Sequence, residues 1–210
     1  MNESRLREEI CLLGKSMFDR GLTPGSSGNI SARVDDGWLM TPTNSCLGRL
    51  DPATLSKVDD KGVLRSGAKQ TKESFLHLSM YEQRPTAGAI VHLHSTHSVA
   101  VSCLADVDAH HPIPPITAYY VMKIGNLVLL PYYAPGDMTL ANAVRAVASK
   151  HHAILLANHG PIVAGRDLEA AVSATEELEE TAKLYLMLRG NRLKILSAEQ
   201  VAELHRKYPQ

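Results

Sequence analysis

Residues 87–97 read AGAIVHLHSTH, an apolar run that closes on two histidines one residue apart. A short apolar run of this kind is typical of a strand that enters a protein core. Alternate residues of a strand project from the same face, so His92 and His94 are expected to lie side by side. A divalent metal ion explains such a pair, and two hydrogen-bonded core histidines are the alternative. The pairing favours the metal, because each imidazole would otherwise need its own buried partner.

A third ligand is expected from a second apolar run. Residues 153–160 read AILLANHG and again end in a polar tip, in which Gly160 permits a sharp turn after His159. The tip alone is a weak signal, but together with His92 and His94 it predicts a site of three imidazoles. Three neutral ligands leave an open position on a zinc ion, which is the pattern of catalytic rather than structural sites.

The rest of the chain predicts a sheet flanked by helices. An amphipathic first helix carries Leu6, Ile10, Leu13 and Met17, and the other helices are expected near 72–84, from 96, at 139–150, from 168 to Gly190, and after Ser197. The predicted strands are NISARV (29–34), GWLMTP (37–42), AIVHLH (89–94), NLVLLPYY (126–133), AILLANHG (153–160) and PIVAG (161–165). They do not alternate strictly with the helices, which favours an α/β protein of α+β type with a mixed or antiparallel sheet. No internal repeat or linker interrupts the chain, so residues 1–210 are expected to form a single domain.

The composition excludes several classes of function. Apolar residues make up 44% of the chain and charged residues 21%, enough to bury a core. Lysine plus arginine and aspartate plus glutamate both number 22, so no net charge attracts nucleic acid or a membrane surface. The charged start of the chain and the lack of a long apolar run predict a cytoplasmic protein.

Three polar segments are candidates for binding an anionic substrate. The loop TPGSSGN (23–29) offers backbone N–H groups and hydroxyls that suit a phosphate, although such loops are also common turns. TPTNS (41–45) and Thr71-Lys72 have the same character. Glu73 lies at the predicted start of a helix, where it is either a functional carboxylate or a charge that stabilises the helix dipole.

Taken in order, these segments resemble a known family. GSSGNIS (25–31), WLMTPT (38–43), TKE (71–73), VHLHSTH (91–97) and LANHG (156–160) together resemble the class II aldolase/adducin family over about residues 5–190. The resemblance implies a three-layer fold in which helices cover both faces of a central, mostly antiparallel sheet. It also implies a homotetramer with active sites between subunits.

The resemblance assigns a role to each candidate residue. It implies one zinc ion per subunit on His92, His94 and His159. Glu73 is then the general acid/base, and a possible further ligand when the site is empty. The implied phosphate pocket comprises Ser27, Gly28, Asn29, Thr43, Asn44, Thr71 and Lys72.

Departures from the aldolases indicate one branch of the family. Asn44 replaces a glycine, and Thr71-Lys72 replaces two serines, which adds a cation beside Glu73 and favours a more anionic substrate. The segments SCLGRLDP (45–52), YYVMKIG (119–125) and LLANHGP (155–161) most resemble the 3-oxo-tetronate 4-phosphate decarboxylases. Tyr120 is then a second candidate proton donor, reaching in from a neighbouring subunit, and Lys123 a candidate for the substrate carboxylate. Subunit packing is the alternative for Tyr119 and Tyr120, and a solvated surface position is the alternative for Lys123.

The resemblance therefore implies a lyase of four-carbon sugar-acid breakdown, acting on a small phosphorylated substrate whose D or L form stays open. Loss of CO2 from a 3-oxo-tetronate 4-phosphate leaves an enediolate, which is protonated to dihydroxyacetone phosphate. A retro-aldol cleavage forms the same enediolate, so a fuculose-phosphate type aldolase or an epimerase is the alternative. A non-catalytic, adducin-like interaction module is a third hypothesis, which the retained histidines and Glu73 argue against.

Overall fold

A single mixed sheet forms the centre of the molecule in the computed structural model, which describes residues 2–134 and 136–208. In chain order its strands are β1 (Asn29–Val34), β2 (Gly37–Met40), β3 (Ser56–Val58), β4 (Leu64–Ser66), β5 (Ala89–His92), β6 (Val128–Leu130), β7 (Ala153–Leu156) and β8 (Gly160–Gly165). Across the sheet the order is β4-β3-β2-β1-β5-β8-β7-β6. Only β6 and β7 pair in parallel, and the other neighbours are antiparallel. The predicted, mostly antiparallel sheet is confirmed.

Helices cover both faces of this sheet. They are α1 (Glu3–Asp19), α2 (Ser74–Gln83), α3 (Thr96–Ser102), α4 (Ala118–Lys123), α5 (Thr139–Ala148), α6 (Leu168–Leu188) and α7 (Ala198–Lys207). Strand alternation separates two cores: Ile154 and Leu156 pack with α2 and α5, whereas Leu155 packs on the opposite face with α4 and α6. The three-layer α/β fold is therefore confirmed. In the part of the chain that the structure describes, no helix has the length and apolar character needed to cross a membrane.

The ends of two helices follow the capping signals in the sequence. The side chain of Asp167 accepts a hydrogen bond from the backbone of Ala170 and starts α6. Ser197 and Gln200 exchange both hydrogen bonds of a capping box at the start of α7. In α1, Leu6, Ile10 and Met17 face the core as predicted, while Leu13 is only partly buried.

Strands β3 and β4 and helix α4 were not predicted. Strands β3 and β4 have three residues each, SKV and LRS, too few to show a period of two, and β4 is the fully exposed edge strand. Helix α4 has six residues and is rich in β-branched and aromatic side chains that favour strands in isolation. Its start is fixed by the Thr117 side chain, which accepts from the Tyr120 backbone. Packing against α6 and α7 then holds the helix in place.

Candidate active site

Four side chains from separate parts of the chain converge at one end of the central strands. Glu73 precedes α2, His92 ends β5, His94 lies just beyond it, and His159 lies in the turn between β7 and β8. One nitrogen or oxygen from each side chain falls within 4.8 Å of all the others. The predicted three-imidazole cluster therefore forms, with Glu73 against it.

The spacing of the imidazole nitrogens suits a metal ion. His94 Nε2 lies 3.2 Å from His92 Nε2 and 3.1 Å from His159 Nε2. Ligands about 2.0–2.1 Å from a tetrahedral zinc ion lie about 3.3–3.4 Å from one another. Glu73 Oε1 lies 3.1 Å from His159 Nε2, and Glu73 Oε2 lies 3.4 Å from His92 Nε2. The carboxylate thus occupies the position of a further ligand or of a group that acts beside the metal.

Hydrogen bonding leaves His92 in the form that binds metals. Its Nδ1 lies 2.9 Å from the carbonyl oxygen of Pro161, which can only accept, so Nδ1 carries the proton. Burial lowers the pKa of His92 to about 3, so the ring is neutral and Nε2 presents a lone pair to the cluster. Burial lowers the pKa of His94 as well. The Nε2 atoms of His92, His94 and His159 lie in contact, and at least that of His92 has no proton to donate. This arrangement fits a bound cation better than a set of hydrogen-bonded core histidines.

The strand carrying His92 is shorter than predicted. It ends at His92, and His94 follows in irregular backbone, so the expectation that both rings project from one regular strand was wrong. A glycine in the neighbouring turn allows this arrangement. Gly160 has φ +152°, and a Cβ there would lie 2.2 Å from the Leu93 carbonyl oxygen. Only glycine lets β8 start this close to the segment of His94, which brings His159 to the cluster.

Glu73 is held as a carboxylate. Burial by itself would raise the pKa of Glu73, but the hydrogen bonds from His159 and Asn29 hold the pKa below its usual range. The Asn29 amide donates to Glu73 Oε2 at 2.7 Å. Glu73 occupies the N-cap position of α2 without a side-chain capping bond, and its carboxylate contacts His92 and His159 instead.

All seven residues predicted for phosphate binding line one cavity of about 350 Å³ that also contains Glu73 and His94. They are Ser27, Gly28, Asn29, Thr43, Asn44, Thr71 and Lys72, and the sequence did not single out the further lining residues Ser26, Pro42 and Gly136.

The backbone of this cavity depends on two unusual conformations. Gly28 has φ +80°, and a Cβ there would lie 2.9 Å from the Leu93 side chain and 3.1 Å from the His92 carbonyl oxygen. Asn44 has φ 58°, a left-handed conformation that asparagine tolerates better than most residues. Asn44, at the position where the aldolases have glycine, therefore preserves the loop conformation and adds a side-chain amide to the cavity.

Two predicted residues lie away from this cavity. Tyr120 is only 3% exposed, and its hydroxyl donates to the Ile113 carbonyl at 3.3 Å. Burial raises the pKa of Tyr120, and its hydroxyl is bonded within its own subunit, so the proton-donor role of Tyr120 in a neighbouring subunit stays a prediction. Tyr119 is the exposed member of the pair, at 61%. Lys123 donates to Ser173 Oγ at 2.6 Å and lines a second cavity with Arg84, so within one subunit it does not reach the substrate site.

Sequence reasoning missed several side chains that support the cluster. Ser31, His77 and Tyr81 form a buried hydrogen-bonded group behind Glu73 and Asn29. Their signal is periodic: Glu73, His77 and Tyr81 are four residues apart along a helix, and Asn29 and Ser31 are two apart on a strand. Glu179 was also missed, and it binds the start of α3 directly behind His94.

Three imidazoles and a carboxylate beside a cavity of small polar loops, on this three-layer scaffold, define a class II aldolase-like protein with a site that could hold a metal ion. The chain matches the family model of the Class II Aldolase and Adducin N-terminal domain over residues 8–186. It therefore belongs to that family.

Individual relatives cover nearly the whole chain. It is 49% identical to a 3-oxo-tetronate 4-phosphate decarboxylase of Pectobacterium atrosepticum over 97% of this chain and 94% of the relative. It is 34% identical to an L-fuculose phosphate aldolase of Haemophilus influenzae over 96% of this chain and 92% of the relative. Among solved structures, YgbL of Escherichia coli, described as a putative aldolase/epimerase/decarboxylase, superposes with a TM-score of 0.94 at 47% identity, covering 96% of this chain and 98% of the other.

Proposed function

We propose that the protein is a carboxy-lyase that decarboxylates a 3-oxo-tetronate 4-phosphate to dihydroxyacetone phosphate and CO2. The observation that carries this proposal is a single cavity in which the three-histidine and Glu73 cluster adjoins the loops of Ser27, Thr43 and Thr71. A substrate whose phosphate lies among the loops brings its other end towards the cluster. The greater identity to the decarboxylase than to the aldolase favours decarboxylation over aldol cleavage.

The bond changes follow from the substrate. Its carboxylate is C1, a hydroxyl is on C2, a ketone is at C3 and the phosphate is on C4. When the C1–C2 bond breaks, its electron pair moves into the C2–C3 bond and onto the C3 oxygen, and CO2 leaves. Protonation of the resulting enediolate at C2 gives dihydroxyacetone phosphate. The site must therefore stabilise negative charge at C3 and deliver one proton to C2.

His92, His94 and His159 would hold a divalent metal ion, which the family resemblance and the preference of three imidazoles imply to be zinc. The chemistry that such an ion supplies is Lewis-acid stabilisation of the charge that develops on the substrate oxygens. The protein's own contribution is to orient the three imidazoles. The Pro161 carbonyl fixes the His92 ring through its Nδ1–H, so that Nε2 stays unprotonated.

Glu73 is the candidate proton donor. It is a carboxylate in the free site, so it must take up a proton from solvent before it can donate one. A substrate that carries a phosphate and a carboxylate brings like charge next to Glu73, and like charge favours the protonated form of a carboxyl group. Glu73 then takes up a proton as the substrate binds and passes it to C2 after CO2 leaves.

Lys72 is the candidate that balances the added charge. It is exposed and lines the same cavity as Glu73 and Thr71. An ammonium group here suits a substrate with one more negative charge than an aldolase substrate carries. Lys123 has no role in binding the substrate carboxylate in this proposal, because it lies elsewhere in the subunit.

The decisive experiment incubates the purified, metal-loaded protein with each phosphorylated substrate. Release of CO2 and dihydroxyacetone phosphate from a 3-oxo-tetronate 4-phosphate is expected, with D and L forms assayed separately. Cleavage of L-fuculose 1-phosphate without release from the oxo-acid would replace this proposal with the aldolase. No turnover of either substrate by a protein that takes up no metal during loading would revive the non-catalytic interaction module.

The proposal also includes features that come from the sequence and the family resemblance. These are zinc as the bound metal, a homotetramer with active sites between subunits, a single functional domain over residues 1–210 and a cytoplasmic location. Residues 1, 135, 209 and 210 of that range lie outside the described part of the chain. Elemental analysis and light scattering of the purified protein test the metal and the assembly.

A further inference from the structure

Five polar side chains form one continuous hydrogen-bonded chain that leads from the core to the lining of the cavity. Asn29 and Ser31 project from the same face of β1, and Glu73, His77 and Tyr81 follow one another at four-residue spacing along α2 and its start. Ser31, His77 and Tyr81 are at most 3% exposed, and Asn29 is 5% exposed. Buried polar groups of this kind require partners, and here each partner is another member of the chain.

The contacts run without a break from the core to the cavity. Tyr81 Oη lies 3.0 Å from Ser31 Oγ, and Ser31 Oγ lies 2.7 Å from His77 Nδ1. His77 Nε2 lies 2.5 Å from Asn29 Oδ1. Asn29 Nδ2 lies 2.7 Å from Glu73 Oε2. Four hydrogen bonds therefore connect the Tyr81 hydroxyl to the carboxylate of the site.

The donor and acceptor of every hydrogen bond in this series follow from the contact at its cavity end, between Asn29 and Glu73. Asn29 presents its Nδ2 group, which can only donate, to Glu73 Oε2, so Asn29 Oδ1 faces His77 as an acceptor. His77 Nε2 must carry the proton of that bond. Burial lowers the pKa of His77 to about 4, so the ring is neutral and its Nδ1 must accept from the Ser31 hydroxyl. Ser31 in turn accepts from Tyr81.

We propose that Tyr81, Ser31 and His77 are positioning residues that act on Glu73 through Asn29. The inference rests on the proposed function of Glu73. Each donor in the chain is polarised by the next, which strengthens the final bond to the carboxylate. That bond fixes the rotamer of Glu73 and occupies its Oε2, so Oε1, which faces His159 at 3.1 Å, is the oxygen that exchanges the proton.

The chain also defines the role of Asn29 in the cavity. One Nδ2 hydrogen is used by Glu73, and the other is available to a substrate in the cavity that Asn29 lines. A flipped amide would turn an oxygen towards the Glu73 carboxylate and repel it. His77 prevents that flip because its Nε2–H requires an acceptor. His77 therefore sets which face of Asn29 the substrate meets, without touching the substrate itself.

The first test is the tautomer of His77 in the metal-free protein. Long-range ¹H–¹⁵N NMR distinguishes an imidazole protonated at Nε2 from one protonated at Nδ1, and the spectrum of His77→Phe assigns the signal. We expect the Nε2–H form at pH 7. An Nδ1–H form or an imidazolium would overturn the inference. This measurement needs no substrate, so it stands even if the proposed decarboxylation fails.

The second test compares two buried serines. Ser31→Ala removes one donor from the chain, whereas Ser79→Ala removes an equally buried hydroxyl that donates only to the Phe75 carbonyl. Both variants delete a single atom and are expected to fold. We expect Ser31→Ala to lower kcat for the oxo-acid by about tenfold, in the range common for groups behind a metal site, with Ser79→Ala within about twofold of the parent.

The third test applies the same comparison to histidines. His77→Phe breaks the chain, and His152→Phe removes a buried imidazole that bonds to the Lys123 carbonyl instead. Zinc affinity from chelator competition is measured alongside kcat and KM. We expect His77→Phe to lower kcat by about ten- to a hundredfold and to weaken zinc binding, with His152→Phe changing neither. Equal losses in the two variants would show that His77 only packs the core.

Discussion

Removal of Glu179 provides a direct measure of how the cluster is supported from behind. Glu179 on α6 accepts four hydrogen bonds from the first turn of α3: from His97 N at 2.9 Å, His97 Nδ1 at 2.8 Å, Ser98 N at 2.9 Å and Ser98 Oγ at 2.7 Å. The residue at the N-cap, Ser95, makes no side-chain capping bond. Glu179 thus supplies the cap of α3 from another helix, and α3 begins two residues after His94, a predicted metal ligand.

The magnitude follows from these contacts. A hydrogen bond to a charged acceptor contributes about 1.5–3 kcal/mol, and backbone N–H groups left without a partner add to the loss. Glu179 is 12% exposed, so water replaces only part of what it provides. We expect Glu179→Ala to lower the free energy of unfolding by about 3 kcal/mol, since the four bonds are not additive. Zinc affinity should fall by about tenfold or more, because α3 begins directly after His94 and Ser95.

The assay is urea unfolding of the metal-free protein, followed by chelator competition for zinc. Glu180→Ala is the matched control, since Glu180 is on the same helix, is 64% exposed and lies 3.9 Å from Lys183. Its effect on stability should stay within about 0.5 kcal/mol. Glu179→Gln keeps one acceptor oxygen and should fall between the two. If Glu179→Ala and Glu180→Ala unfold at the same urea concentration and bind zinc equally, the capping argument is wrong.

Two further predictions concern the cluster itself, and a third concerns the buried histidines. Glu73→Gln should keep zinc bound but lose most turnover, because an amide cannot exchange the proton; full activity in this variant, measured by product release, would refute the acid/base role. His94→Ala should lose the metal, because only two of the three imidazole ligands remain. Stoichiometric zinc in this variant, measured by elemental analysis, would show that the ligand set is wrong. Burial lowers the pKa of His77, His92 and His152 from 6.5 to about 4, 3 and 4, so below about pH 6.5 the unfolded chain binds protons that the folded chain does not. The free energy of unfolding of the metal-free protein should therefore decrease as the pH is lowered from 6.5 to 4, by up to about 4 kcal/mol per pH unit. Equal stability at pH 7 and pH 5 in urea titrations would contradict these pKa assignments.

Part of the site could be found from local patterns alone. His92 and His94 follow a short apolar run, and His159 follows another, so the polar ends of two strands were visible without coordinates. The loop that contains Gly28 could be recognised from its glycines, which permit unusual backbone angles. Tyr120 shows the limit of this reasoning. Its neighbour Tyr119 has the same side chain, and only the packing of α4 decides which ring is buried.

The sequence by itself determined most helices and strands and the kinds of group that could bind a metal, because helix periodicity, capping residues and apolar runs act over a few neighbouring positions. Only the tertiary structure decided that Asn29, Glu73 and His92 meet, since β1 and β5 pair with Asn29 opposite His92 and α2 packs across them. It also brought Glu179 to the start of α3 from more than eighty residues away. Such contacts depend on strand register and on the packing of distant elements, and no periodic pattern within one element encodes them.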